Sequence, residues 1–113
     1  MANNQNQETS EVGEDLQITR AKRRPAGGQG RWVSGSLSGY RFEALVFPAH
    51  AEQADYELLG DSRISKLWLR RISDRVTVFN WDRGQDVPAL DGQVESVVRF
   101  LADGLSESTY GKE

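Results

Sequence analysis

Between Arg63 and Arg71 the chain reads RISKLWLRR, with apolar and polar side chains alternating at a period of two. Such a period marks a half-buried β-strand, because successive side chains of a strand point to opposite faces. A second alternating run, VTVFNWD from Val76 to Asp82, follows the short polar turn Ile72-Ser73-Asp74. Ser73 and Asp74 supply side chains that bond nearby backbone N–H groups, so the two runs predict a hairpin. Carried through both strands, one parity collects Leu67, Leu69, Val76 and Val78 on an aliphatic face, the expected core face. The other collects Trp68, Phe79 and Trp81 beside Lys66 and Arg70. The inverse arrangement, with the aromatic set packed inward, stays open at this level.

A second hairpin is expected upstream, from Trp32 to Leu37 and from Tyr40 to Phe47, across the two-residue turn Ser38-Gly39. Gly35 inside the first of these strands signals a bulge or a close approach of another backbone. Tyr40, Phe42, Ala44 and Val46 share the expected core face, and Arg41, Glu43, Leu45 and Phe47 the other. Pro48 ends the strand. Ala49 to Leu59, AHAEQADYELL, fits either a short helix stopped by Gly60 or a loop. From Gly92 to Leu105 the apolar residues Val94, Val97, Val98, Leu101 and Leu105 recur at helical spacing, with Asp91 as N-cap and Glu95 in the first turn. The expected fold is α+β: a four-stranded antiparallel sheet of two hairpins (ββ-loop-ββ), with one C-terminal helix packed on one face. One helix cannot cover both faces of a sheet.

Composition narrows the folded part. Residues 1–29 are rich in Asn, Gln, Glu and Gly and are expected to be a disordered tail, leaving a domain over 30–107 and a second tail over 108–113. There is no cysteine, which excludes disulfides, thiolate metal sites and thiol nucleophiles. No apolar run approaches the roughly 20 residues of a membrane span, so a cytoplasmic protein without membrane contact is expected. The formal net charge of −3 falls entirely on residues 31–113, because the acids and bases of residues 1–30 cancel. An acidic domain argues against a general phosphate-binding surface and leaves room for a local basic stripe.

The residues that carry chemistry are sparse. The single histidine, His50, has no nucleophile elbow or metal-binding partner in sequence, and no dinucleotide or phosphate-loop glycine pattern occurs. Asp82, Asp86, Asp91 and Glu95 match no calcium loop and read as turn and capping acids. A protein that is not an enzyme, with no cofactor and no metal, is therefore expected. The binding candidates are Trp68, Phe79, Trp81, Lys66, Arg70 and Arg41. Aromatic side chains and arginine are the usual anchors of protein interfaces, so a protein partner or a homodimer leads. The alternative is single-stranded nucleic acid, stacked on the same aromatics with help from the basic run RAKRR at 20–24.

The segments WVSG from Trp32, RISKLW from Arg63 and FNWDRG from Phe79 resemble a group of small uncharacterised bacterial proteins borne on phages, plasmids and other mobile elements. The resemblance runs from about Arg31 to Leu105 and implies a strand-rich core without assigning catalytic residues. Genes of this kind often encode regulators or inhibitors of host systems. The element order is also similar to the four-strands-plus-helix single-stranded DNA-binding modules of the transcriptional-coactivator type.

Overall fold

The computed structural model describes residues 15–23, 29–82, 85–89 and 91–111, with the backbone alone at 85–87. Its strands are β1 (Gln17–Arg23), β2 (Arg31–Leu37), β3 (Tyr40–Val46), β4 (Ile64–Arg71), β5 (Thr77–Asp82) and β6 (Gln85–Val87), followed by α1 (Gly92–Tyr110). The strands form one antiparallel meander in the order β1-β2-β3-β4-β5-β6. The α+β class, the antiparallel sheet and the single C-terminal helix are as expected, but the sheet is six-stranded rather than four-stranded.

The extra strands come from segments without a hydrophobic signature. All seven side chains of β1 are exposed, so this strand forms through backbone pairing with β2 and not through burial. Its charged side chains suit an edge strand, where they discourage pairing with further chains. Part of the expected N-terminal tail is thus a strand, and α1 extends to Tyr110, beyond the expected boundary at 107. Residues 1–14, 24–28, 83–84, 90 and 112–113 lie outside the described residues.

The β2–β3 turn has Ser38 at φ 53° and Gly39 at φ 87°, the paired positive φ of a tight hairpin turn whose twist matches its strands. The Asp15 carboxylate accepts from the Ser38 N–H at 2.9 and 3.0 Å and ties the start of β1 to that turn. In the β4–β5 turn the Arg71 guanidinium donates to Asp74 at 2.8 Å, and Asp74 accepts from the Val76 N–H at 3.2 Å. The insert between β3 and β4 is neither a regular helix nor a plain loop. It contains two single 3₁₀ turns, Ala54–Tyr56 and Leu58–Gly60.

One core lies between the sheet and α1. Phe42 stands opposite Leu69, and Leu69 opposite Phe79; Val33, Ala44 and Leu67 form the neighbouring row. Val94, Val97, Val98, Leu101 and Leu105 of α1 are all buried against these rows. The helix starts where Asp91 accepts from the Val94 N–H at 3.0 Å, satisfying a donor that has no partner within the helix. Near its far end, Tyr110 donates its hydroxyl to the Val46 carbonyl at 3.1 Å, and the Arg31 guanidinium lies 5.0 Å from the Tyr110 ring centre.

Gly35 provides the close approach that its place in a strand implied. A Cβ there would lie 2.1 Å from the Gln17 carbonyl oxygen and 3.0 Å from the Phe42 ring. The β1–β2 register shift falls between Ile18 and Arg20, beside this contact. Gly35→Ala is expected to push β1 off the sheet, at a cost of about 1–3 kcal/mol. Hydrogen exchange checks this: the β1 amides bonded to β2 will lose protection in the variant while those of β3 and β4 keep it.

Candidate functional site

Direct cross-strand partners share a face, so the pairing assigns the paired side chains of β1 to β5. Three rows lie on the face away from α1: Gln17, Ser36, Arg41, Arg70 and Thr77; Arg20, Ser34, Glu43, Trp68 and Asn80; and Lys22, Trp32, Leu45, Lys66 and Asp82. Lys66, Trp68, Arg70 and Arg41 therefore stand together, as the sequence pattern led us to expect. Phe79 and Trp81 do not join them. Phe79 is buried in the core, and Trp81 packs against the same cluster from the helix side.

The cause is a register shift. Leu69 pairs with Phe79 and Arg70 with Thr77, which leaves Val78 as an extra residue. A bulge of this kind places two residues of one strand against one interval of the other and resets the alternation beyond it. Val78 and Phe79 both turn inward, and Val76 is exposed. A second bulge between β3 and β4 makes Ser65 the extra residue and turns Ile64 into the core.

The vacancy left by Phe79 and Trp81 is taken by a residue the pattern did not single out. Trp32 lies in the third row, and the Lys66 ammonium sits 5.9 Å from its ring centre. Leu45 stands between Trp32 and Lys66 in the ladder and is fully buried although it lies on the uncovered side. Arg70 places its guanidinium 5.3 Å from the Trp68 ring centre, and Trp68 donates its indole N–H to Thr77 Oγ1 at 3.2 Å. Alternation of Trp32 with Val33, Gly35 and Leu37 was the available signal. Arg20 and Lys22 belong to the basic run RAKRR, but their place on this face was not legible because β1 itself was not.

The three rows hold five cations, Arg20, Lys22, Arg41, Lys66 and Arg70, against the two acids Glu43 and Asp82. Lys66 is 3.7 Å from Asp82. Arg41 and Arg70 are direct cross-strand partners, and among the described residues neither is ion-paired. Like charges in that relation destabilise a sheet. Arg70 Nε is moreover buried without a hydrogen-bond partner.

The insert is organised around a buried carboxylate. Glu57 is 4% exposed, and its side chain accepts from His50 Nδ1 at 3.0 Å, from the Arg63 N–H at 2.9 Å and from the Ala51 N–H. Burial alone would raise its pKa; the His50 hydrogen bond, the two backbone N–H groups and the His50 charge outweigh it and hold the carboxyl below its ordinary value. Arg63 reaches this position with φ 63°, in the left-handed region, and donates its guanidinium to the Pro48 carbonyl at 2.7 Å. Of the acids read as turn and capping residues, Asp91 caps α1 as expected, Asp82 faces Lys66, and the Asp86 side chain lies outside the described residues. Among the described residues, no group of three or more His, Cys, Asp and Glu side chains is placed to hold a metal ion, and no helix is long and apolar enough to cross a membrane.

Residues 31–106 match the model of a family described as a domain of unknown function (DUF7678). The chain belongs to this family. The DUF7678 match begins with β2 and ends within α1, so it takes in the Trp32, Arg41, Lys66, Trp68 and Arg70 positions, and β1 lies outside it. No curated protein and no solved structure matches the chain.

Three outcomes follow from this geometry. Phe79→Ala is expected to cost about 3–5 kcal/mol in urea denaturation, as an aromatic side chain leaving a packed core. Trp68→Ala, on the uncovered face, is expected to cost about 1 kcal/mol or less. Because the folded pKa of Glu57 is lowered, its contribution to stability is complete above the ordinary value of 4.5 and is lost as pH falls through the folded value. The stability difference between wild type and Glu57→Gln is therefore expected to shrink as pH falls below 4.5, as read by thermal denaturation across that range.

Proposed function

We propose that this DUF7678 protein is a non-enzymatic binding module that takes an acidic protein segment on its uncovered sheet face. The observation that carries this reading is the Arg41–Arg70 pair, two directly opposed cations without an ion-pair partner among the described residues, with Trp68 beneath one of them. A carboxylate set between two guanidiniums relieves their repulsion and gains charge-assisted hydrogen bonds. Trp68 and Trp32 supply the aromatic area around which interface energy concentrates. Glu43 stands beside Trp68 in the middle row and favours a partner of mixed charge over a phosphate backbone. A second copy of the chain is a poorer occupant, since each face would bring the same cation excess against the other.

Single-stranded nucleic acid is the second reading. It is favoured by two tryptophans that each stand next to a cation, the arrangement in which bases stack while phosphates are neutralised. Salt separates the two. The full chain is titrated with an acidic peptide containing Leu and Phe, and with an oligothymidylate, following tryptophan fluorescence. The peptide is expected to bind, with a loss of about tenfold or more in both Trp68→Ala and Arg70→Ala, while both variants stay folded and melt within about 8 °C of wild type. Tighter binding of the oligothymidylate, falling steeply with salt, would install the nucleic-acid reading instead. Binding of neither, or equal binding by the variants, would remove both.

A further inference from the structure

β1 lies outside the family match, and none of its side chains is buried. It nevertheless joins the sheet in one defined way. Gln17 and Ile18 stand opposite Ser36 and Gly35; unbroken alternation would set Arg20 opposite Val33 and Lys22 opposite Arg31. Both cations would then point to the helix side, with Lys22 directly against another cation. The strand has a bulge instead. Thr19 is the extra residue, and its hydroxyl donates to the Ser34 carbonyl at 3.1 Å. Arg20 thereby stands opposite Ser34 and Lys22 opposite Trp32, on the uncovered face, while the small Ala21 turns toward Val33.

Residues outside β1 accommodate this arrangement. Gly35 leaves room for the Gln17 carbonyl at the bulge, which a Cβ would meet at 2.1 Å. The Asp15 carboxylate, bonded to the Ser38 N–H, fixes where the strand begins. Bulges commonly re-aim side chains beside functional sites, and what this one re-aims is charge. Without Arg20 and Lys22 the uncovered rows hold three cations against two acids; with them, five against two. β1 contains no acid to offset the pair.

The two groups of cations occupy different corners of the face. Arg70 and Lys22 are three strands and two rows apart, about 20 Å at ordinary strand spacing and rise. Trp68 and Trp32 lie between those corners. An extended stretch of about six residues covers the distance.

We propose that Arg20 and Lys22 form a second cationic subsite, which takes the far end of the acidic segment held by Arg41 and Arg70, and that binding there secures β1 to the sheet. This rests on the reading of the uncovered face as a site for an acidic protein segment. The segment then carries acids at both ends of about six extended residues, with apolar side chains between them for the two tryptophans. Linkage supplies the coupling. β1 buries no side chain and is held by backbone bonds with help from Thr19 and Asp15, so it opens at lower cost than the core strands. A ligand that reaches Arg20 and Lys22 only when β1 is docked must favour the docked state.

The test uses the full chain and two peptides with the same apolar centre of Leu and Phe. One carries acids at both ends, about six residues apart; the other has glutamine in place of the acids at one end. The wild-type chain is expected to bind the first about tenfold more tightly, and saturation with it is expected to slow hydrogen exchange of the β1 amides. Arg20→Ala combined with Lys22→Ala is expected to abolish that preference in a folded chain, since both side chains are exposed. The charge-preserving pair Arg20→Lys and Lys22→Arg is expected to retain it. Gly35→Ala, which displaces β1, is expected to abolish it as well, and adding the two alanine substitutions to Gly35→Ala is expected to change nothing further.

Equal binding of the two peptides by wild type, a preference that survives the loss of Arg20 and Lys22, or additive losses with Gly35→Ala overturn the proposal. If binding in those cases still falls in Arg70→Ala, the Arg41–Arg70 reading stands alone; no peptide binding at all removes both. Tighter binding of an oligothymidylate through Arg20 and Lys22 overturns the acidic segment as occupant.

Discussion

A sheet whose side chains alternate with a period of two, and which has a single helix to cover it, must divide its residues between a dry face and a wet one. Every other feature of this protein rests on that division. Phe42, Leu69 and Phe79 stand in one cross-strand row under α1, and Leu67 stands in the next beside Ala44 and Val33. The helix answers with Val94, Val97, Val98, Leu101 and Leu105. Because burial of these rows sets the register, it also dictates what the opposite face shows. Arg41 faces Arg70, and Glu43 faces Trp68, because their chain neighbours are needed inside.

How far the sequence revealed this depended on whether alternation ran unbroken. The β2–β3 hairpin and the α1 stripe were legible because Ser38-Gly39 and Asp91 are strong local signals and the apolar spacing between them is regular. Lys66, Trp68 and Arg70 were placed on the outer face because β4 alternates cleanly up to Arg71. Phe79 and Trp81 were expected there too and lie on the other face, because Val78 is an added residue and a bulge cannot be seen in a list of hydrophobic positions. β1 escaped notice for a different reason: its side chains are all exposed, and its stability comes from backbone hydrogen bonds that every sequence can make. The Glu57 cluster was equally hidden. Its partners come from His50, Ala51 and Arg63, and nothing in their spacing announces a carboxylate turned inward.

The insert also has a mechanical place in the molecule. Arg63 donates to the Pro48 carbonyl on one side, and its other terminal nitrogen lies 3.4 Å from the Gly111 carbonyl beyond the end of α1. Tyr110 bonds the Val46 carbonyl just before the insert begins. Sheet end, insert and helix end are thus fastened together through polar groups, whereas the middle of the molecule is held by apolar packing. The strained φ of Arg63 is part of that fastening, since it aims the N–H at Glu57.

The strand order of the meander has a consequence for how the chain comes into being. Each strand pairs with the one made just before it, so no strand has to wait for a distant partner, and apart from the insert at 47–63 the connections among the described strands are short. During synthesis the sheet can therefore assemble in the order in which it leaves the ribosome. The helix is different. It follows the last strand, so throughout that growth the row of Phe42, Leu69 and Phe79 has no cover. In the folded chain it is this nineteen-residue element that keeps that row from water.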